Sequence, residues 1–279
     1  MSITAAEFDY VRDLARSSAA IVIDSGKEYF IESRLAPLVE RLGFRTLTEL
    51  ITSMRLNPAF GAVHARAIDA LTTNETFFFR DLVPFDALRS VIIPQLIEQR
   101  AQSRTLSIWS AACSTGQEPY SLAMLLHEHF PQLANWKVTI LATDLSPTVL
   151  AQARAGSYNQ FEVNRGLPAQ LLLKHFQKVG DRWEINEDLK KRIEFRPMNL
   201  IEPWPALPCM DIILIRNVMI YFDVPTKQAI LRKIRSCLSP QGALLLGTAE
   251  TTINLDPFWR PVCHGLATVY APNPEGTHP

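Results

Sequence analysis

Apolar residues recur at helical spacing through positions 1–71, and β-rich runs begin only after residue 100. Thr4 followed by Glu7 has the form of a capping box, and Phe8, Val11, Leu14 and Ala15 then fall on one face. A second stretch, 29–42, stops at Gly43, and Pro37 inside it predicts a kink or a division. Thr46 with Glu49 repeats the capping signature ahead of Leu50, Ile51 and Met54. Asn57-Pro58 predicts the start of another helix, running through Val63, Ile68 and Leu71.

From 105 onward the pattern alternates. Short β-rich runs at 105–110, 138–143, 193–195, 212–215 and 243–248 are separated by helical candidates at 119–130, 147–155 and 226–238. Such alternation specifies a doubly wound α/β fold, a mostly parallel sheet with helices on both faces. A last pair, 259–262 and 267–271, predicts an antiparallel hairpin closing the sheet. Residues 156–191 are too many for one crossover, and Gly180-Asp181 between Lys178-Val179 and Trp183-Glu184-Ile185 predicts a tight hairpin inside a small β insertion. The expected organisation is therefore a helical domain over 1–71, a linker over 72–84, and an α/β domain over 85–279 that carries the insertion. The Pro/Asn/Gly tail from Pro272 is expected to fray.

Composition narrows the classes. With 28 basic and 28 acidic residues the chain has no global field to attract nucleic acid or anionic lipid. Cys113, Cys209, Cys237 and Cys263 form no CxxC pair, and His127-Glu128-His129 has the wrong spacing for two ligands on one helical face, so no metal is expected. No apolar run approaches the roughly 18 residues of a membrane span, and the first turn carries Glu7 and Asp9 where a signal peptide needs basic residues. A cytoplasmic protein without direct membrane insertion is expected.

In an open α/β sheet, ligands bind beyond the carboxyl ends of the strands, where strand order reverses. That rule selects four positions. The first is the small-residue turn Trp-Ser-Ala-Ala-Cys-Ser-Thr-Gly-Gln-Glu at 109–118. The second is Asp144, which can accept ribose hydroxyls or cap the helix that follows. The third is Asn199-Leu200, and the fourth is Arg216-Asn217 with Tyr221 soon after. A pyrophosphate needs a GxGxxG turn and the first loop has only Gly116, which favours a nucleoside without phosphates over a nicotinamide dinucleotide. A fifth candidate, 71–81, joins the two parts of the chain with one amide, hydroxyls, three phenylalanines and paired charges. Its Phe77 to Phe79 are expected to plug an interdomain core while its polar side chains meet ligand.

Thr-Asn-Glu-Thr-Phe-Phe-Phe-Arg-Asp at 73–81, the 109–124 segment, and Arg-Asn-Val-Met-Ile-Tyr-Phe at 216–222 occur in the order found in the CheR-type chemotaxis receptor methyltransferases, which the whole chain resembles. The resemblance implies an all-α N-terminal domain joined to an S-adenosylmethionine-dependent methyltransferase domain with a small β insertion. It implies transfer of methyl to glutamates on the cytoplasmic helical region of transmembrane chemoreceptors, leaving S-adenosylhomocysteine. Carried over by position, the cofactor contacts are Asn74, Thr76, Arg80, Glu118, Asp144, Asn199, Leu200, Arg216 and Asn217, with Arg80 and Tyr221 beside the transferred methyl.

The helical domain is the expected receptor reader. Arg34, Arg41 and Arg45 share a face if the helix persists past Gly43, although 1–71 holds eight basic and nine acidic residues and a solvated face explains them equally well. Some relatives grip the receptor's C-terminal tail through a glycine-rich extension of the insertion hairpin. The tight turn here lacks it, so tail tethering is not expected, and a monomer is. The competing readings are a small-molecule methyltransferase, which has no use for the helical domain, and a catalytically weak cofactor-binding adaptor on receptors, which would show damaged motifs.

Overall fold

In a computed structural model, described for residues 3–57 and 59–273, the chain divides into two units. The first comprises 1–73 with 221–226, and the second 74–220 with 227–279.

The helical unit contains α1 (Ala5–Ala19), α2 (Glu28–Arg41), α3 (Leu47–Leu56) and α4 (Ala62–Leu71). Thr4 and Glu7 form the capping box that the sequence predicts, and Phe8, Val11 and Ala15 are buried on the face it starts. Thr46 caps α3 through the Glu49 backbone N–H, but the Glu49 carboxylate turns to the Arg45 N–H, so the reciprocal half of the box is absent. Pro37 does not divide α2: Ile31, Leu35 and Leu38 are all buried, and their packing outweighs the one hydrogen bond that proline removes. The helix does end at Gly43, which has φ +76°, so Arg45 lies in the turn before α3 and leaves the face shared by Arg34 and Arg41. Asn57 caps the C-terminus of α3, and the next helix starts after Gly61; Pro58, half of the expected start signal, lies outside the described residues. Tyr221 belongs to this unit, where its carbonyl accepts the Val22 N–H at 3.1 Å.

The α/β unit opens with a helical run that the sequence reading did not resolve: α5 (Val83–Ala87), a π turn over Leu88–Ile92, and α6 (Ile93–Gln99). There follow β1 (Thr105–Ala111), α7 (Gln117–His129), β2 (Lys137–Asp144) and α8 (Pro147–Ala155). The insertion contains β3 (Ser157–Asn159), α9 (Gln160–Asn164), α10 (Ala169–His175), β4 (Phe176–Val179), β5 (Arg182–Ile185) and α11 (Glu187–Lys190). β6 (Ile193–Pro197), β7 (Met210–Ile215), α12 (Val224–Cys237), β8 (Leu238–Leu246), β9 (Trp259–His264) and β10 (Ala267–Pro272) complete it. The end of the tail expected to fray, 274–279, lies outside the described residues.

The main sheet has the order β6-β2-β1-β7-β8-β10-β9, parallel from β6 to β8 and antiparallel at β10 and β9. Strand order reverses between β1 and β7, whose central residues are fully buried, as a sheet covered on both faces requires. Asp211, at the opposite end of β7, receives Arg100 and the Ser107 N–H and locks the strands' starts together. β4 and β5 are joined through Gly180-Asp181 as expected, and β3 adds an unforeseen third strand.

Phe78 and Phe79 fill this unit's own core. Phe78 meets Tyr158 and Phe176 edge-on and Phe79 meets Phe85, so two of the three phenylalanines pack within the unit. The Phe79 N–H donates to Ser121 Oγ on α7 and holds the aromatics inward.

A second cluster ties α10 to α7. Buried His175 meets the Glu128 carboxylate at 2.7 Å, with Lys174 on the same carboxylate and the His127 ring 5.3 Å away. Burial pushes His175 below its ordinary value, and Glu128 only partly pulls it back. Burial also raises Glu128, but its bonds to Lys174 and His175 outweigh that and hold it low. Both shifts have the same consequence: below about pH 6.5 the unfolded histidine binds protons that the folded one refuses, and the carboxylate adds to this near its own range. Stability of this unit should therefore fall on acidification from about pH 7 to about pH 5, and His175→Gln should flatten the slope. Urea titrations at several pH values, read by tryptophan fluorescence, test it; parallel slopes for the two proteins would remove His175 as the cause.

Candidate active site

All four selected positions lie at or just beyond the carboxyl ends of the parallel strands β1, β2, β6 and β7. After β1 the chain turns through Ala112 (φ 56°), Ser114 (φ 49°) and Gly116 (φ 93°) into α7. At Gly116 a Cβ would lie 2.9 Å from that of Ala153 and 3.2 Å from the Tyr158 hydroxyl, so both conformation and space demand glycine. The turn is tied down on three sides: Cys113 N–H donates to Thr143 O, Ser114 N–H to Asp144, and Ser114 Oγ to the Asn74 carbonyl.

Asp144 is buried. Its two oxygens accept the N–H groups of Ser114 (2.8 Å) and Ser146 (2.9 Å). The cap of α8 is Ser146, whose side chain accepts the Val149 N–H, so the capping alternative for Asp144 does not hold. A carboxylate at this strand end is the type of group to which ribose hydroxyls donate in such folds.

Beyond β6, Asn199 turns its amide into its own loop, accepting the Ile201 N–H and donating to Glu202. The Leu200 side chain is buried, and its carbonyl accepts from Lys233 Nζ and Trp204 Nε1. A cleft of about 350 Å³ opens beside this loop, lined by Leu145, Met198, Asn199, Glu202 and three prolines. A cleft lined by prolines with one amide and one carboxylate suits a nucleobase.

After β7, Arg216 is almost wholly buried and spans the site. Its guanidinium donates to Glu118 (2.9 Å), Asp81 (2.8 Å) and the Arg80 carbonyl (2.8 Å). Glu118 uses its second oxygen for Ser110 Oγ. Arg216 thus serves as a brace holding 80–81 over the sheet, with buried Nε making no hydrogen bond among the described residues. Asn217 sits at φ 59°, and Glu250 secures that turn by accepting the N–H groups of Asn217, Gly247 and Ile220. Glu250 escaped the sequence reading, although the strand-end rule extended to β8 would have selected it. Phe79 (φ 49°) and Asp81 (φ 63°) add two more strained residues, so five non-glycine positions in the left-handed region gather here. Such backbone persists where the surroundings over-determine it, as functional sites do.

Arg80 and Thr76 are half-buried. Arg80 donates to the Glu75 carbonyl and lies over the Phe77 ring. Among these groups Cys113 is no nucleophile: burial first, then the charges of Asp144 and Glu118, push its thiol well above the ordinary value.

Residues 74–261 match the CheR methyltransferase SAM binding domain, and residues 6–72 match the CheR methyltransferase all-alpha domain. The chain belongs to the CheR methyltransferase family. It is 40% identical over 274 residues to chemotaxis protein methyltransferase 1 of Pseudomonas aeruginosa, covering 97% of this chain and 99% of that one. It is 37% identical to a chemotaxis protein methyltransferase of Pseudomonas putida, covering 95% and 97%, and 38% identical to chemotaxis protein methyltransferase 1 of Vibrio cholerae, covering 91% and 93%. This CheR chain is accordingly an S-adenosylmethionine-dependent methyltransferase of chemotaxis. Its strand ends suit that cofactor: a buried carboxylate at Asp144 held by two backbone N–H groups, and a cleft beside Asn199. Among the described residues, no helix is long and apolar enough to cross a membrane.

Proposed function

We propose that the acceptor is a glutamate carboxylate on the cytoplasmic helices of chemoreceptors, and that the products are a glutamyl methyl ester and S-adenosylhomocysteine. The observation that supports this most is how the site's titratable groups are engaged. Glu118 is tied to Arg216 and Ser110, Asp144 to two backbone N–H groups, and Cys113 is held protonated. No histidine occurs in the three motifs. A site with no side chain free to take a proton suits an acceptor that arrives already ionised, and a glutamate with pKa of about 4.3 does so near neutrality.

Bound S-adenosylmethionine supplies an electrophilic methyl on a sulfonium. Joining it to a carboxylate cancels both charges, so a water-poor site favours the reaction, and holding the partners in line contributes on the order of 7–11 kcal/mol. In this reading Asp144 holds the ribose, Asn199 and the Leu200 backbone hold the base, and Asn74, Thr76, Glu118 and Asn217 orient the methionine portion. Arg80 holds the methionine carboxylate or the acceptor oxygen that does not attack, because gripping the attacking oxygen would stabilise the reactant more than the transition state. Tyr221 is placed beside the methyl by the family resemblance alone. Arg34 and Arg41, two turns apart on α2, are assigned to an acidic receptor helix.

The test is transfer from tritiated S-adenosylmethionine to receptor-containing membranes, followed by release of volatile label in base. Base-labile methyl is expected, with similar initial rates on a receptor lacking its final residues, and charge reversal at Arg34 and Arg41 should slow transfer without changing S-adenosylhomocysteine affinity. Base-stable label would exclude the ester, and a large drop on truncation would restore tail tethering.

A further inference from the structure

Arg165 caps the C-terminus of α9 in the insertion. Its guanidinium lies 4.7 Å from the centre of the Phe77 ring, and that of Arg80 lies 5.3 Å from the same ring. Arg165 pairs with the Glu75 carboxylate, while Arg80 holds the Glu75 carbonyl at 2.8 Å. Two guanidiniums therefore share one aromatic ring, and with the Glu75 carboxylate on one of them the group carries a net positive charge. One residue away, the Asn74 carbonyl is held by Ser114 of the cofactor loop.

This is a built arrangement rather than a chance surface pair. Gly166 approaches the linker so closely that a Cβ there would lie 2.0 Å from the Phe78 carbonyl oxygen, and its φ of +81° also excludes ordinary side chains. Backbone contact thus fixes Arg165 against 75–78. Yet the pair remains open to solvent, with 40% of the Arg165 side chain and 56% of that of Glu75 exposed. Arg165 also keeps the Glu75 carboxyl below its ordinary value by hydrogen bond and charge, and Arg80 adds to this, so the position favours an anion.

Resting on the glutamate reading above, we propose that Arg165 binds an acidic side chain of the acceptor segment, and that Glu75 occupies its guanidinium until substrate arrives. The incoming carboxylate replaces the Glu75 carboxylate on the planar fork, while the fork stays against Phe77. The internal ion pair is exposed and weak, so the exchange costs little. Because the contact is made equally in the ground and transition states, it acts on substrate affinity rather than turnover.

A structural pair and a placeholder predict opposite patterns. Arg165→Ala should raise KM for the receptor by on the order of tenfold or more, with kcat and S-adenosylhomocysteine affinity unchanged. Arg165→Lys should recover part of the loss. Glu75→Gln removes the internal competitor and should lower the receptor KM. A rise in KM for both Arg165→Ala and Glu75→Gln, or an effect of Arg165→Ala confined to cofactor affinity or melting temperature, would overturn the proposal. Calorimetric titration of a glutamate-bearing helical receptor peptide, and of its glutamine counterpart, supplies a readout without turnover. Preference for the glutamate peptide should be lost in Arg165→Ala. Should wild-type protein transfer no base-labile methyl, the ester reading falls on its own, and equal binding of the two peptides would sink the Arg165 assignment separately.

Discussion

Arg216→Met should lower the stability of the α/β unit by about 3–5 kcal/mol, the usual cost of leaving one half of a buried ion pair behind. Only 1% of the Arg216 side chain is exposed, and its loss strands the Glu118 carboxylate in the interior and frees 80–81 from the sheet. All five tryptophans lie in this unit, so fluorescence-detected urea unfolding reports on it selectively. Affinity for S-adenosylhomocysteine should fall as well, because the linker carrying Asn74, Thr76 and Arg80 loses its brace. Replacing Glu118 in the same protein, as Glu118→Met with Arg216→Met, should restore much of the stability but not the affinity, since an apolar pair satisfies burial without holding Asp81. An unchanged unfolding midpoint in the single variant would show that the brace contributes nothing.

Asp144→Ala should weaken S-adenosylhomocysteine binding by roughly 1.5–3 kcal/mol, the range for hydrogen bonds to a charged group, or about tenfold to over a hundredfold. Two effects combine. In the proposed reading the ribose loses its acceptor, and the N–H groups of Ser114 and Ser146 lose theirs, loosening the turns after β1 and β2. Asp144→Asn separates them, since its amide oxygen keeps one of the two backbone bonds and its amide nitrogen cannot accept. Calorimetry on the folded variants is the measurement, and wild-type affinity in Asp144→Ala would remove this residue from the ribose role.

Much of this architecture was legible in the chain because it rests on local rules. Strand and helix alternation located all five parallel strands to within a few residues, except at the start of β8, since buried parallel strands read as continuous apolar runs. The capping pair Thr4 and Glu7 and the turn at Gly180-Asp181 needed only neighbours in sequence. The misreadings have an equally physical basis. Pro37 stays inside α2 because tertiary burial of its apolar face outweighs local propensity. Glu49 serves Arg45 because a side chain with two nearby donors chooses by final geometry.

At the active site the chain alone determined which residues are available: the strand-end positions of a doubly wound sheet, a loop without a phosphate turn, and three motifs in family order. Their division of labour was decided only in three dimensions. Glu118 and Arg216 lie 98 positions apart and neutralise one another in the core, a pairing that no local pattern announces. Glu250 reaches back 33 residues to secure the Asn217 turn, and Arg165 meets Glu75 across 90. Short-range periodicity specifies which elements form, because helix and strand are closed by nearby backbone bonds. Which charge meets which depends on how those elements pack, because a buried ion must find its partner wherever the fold brings one within reach.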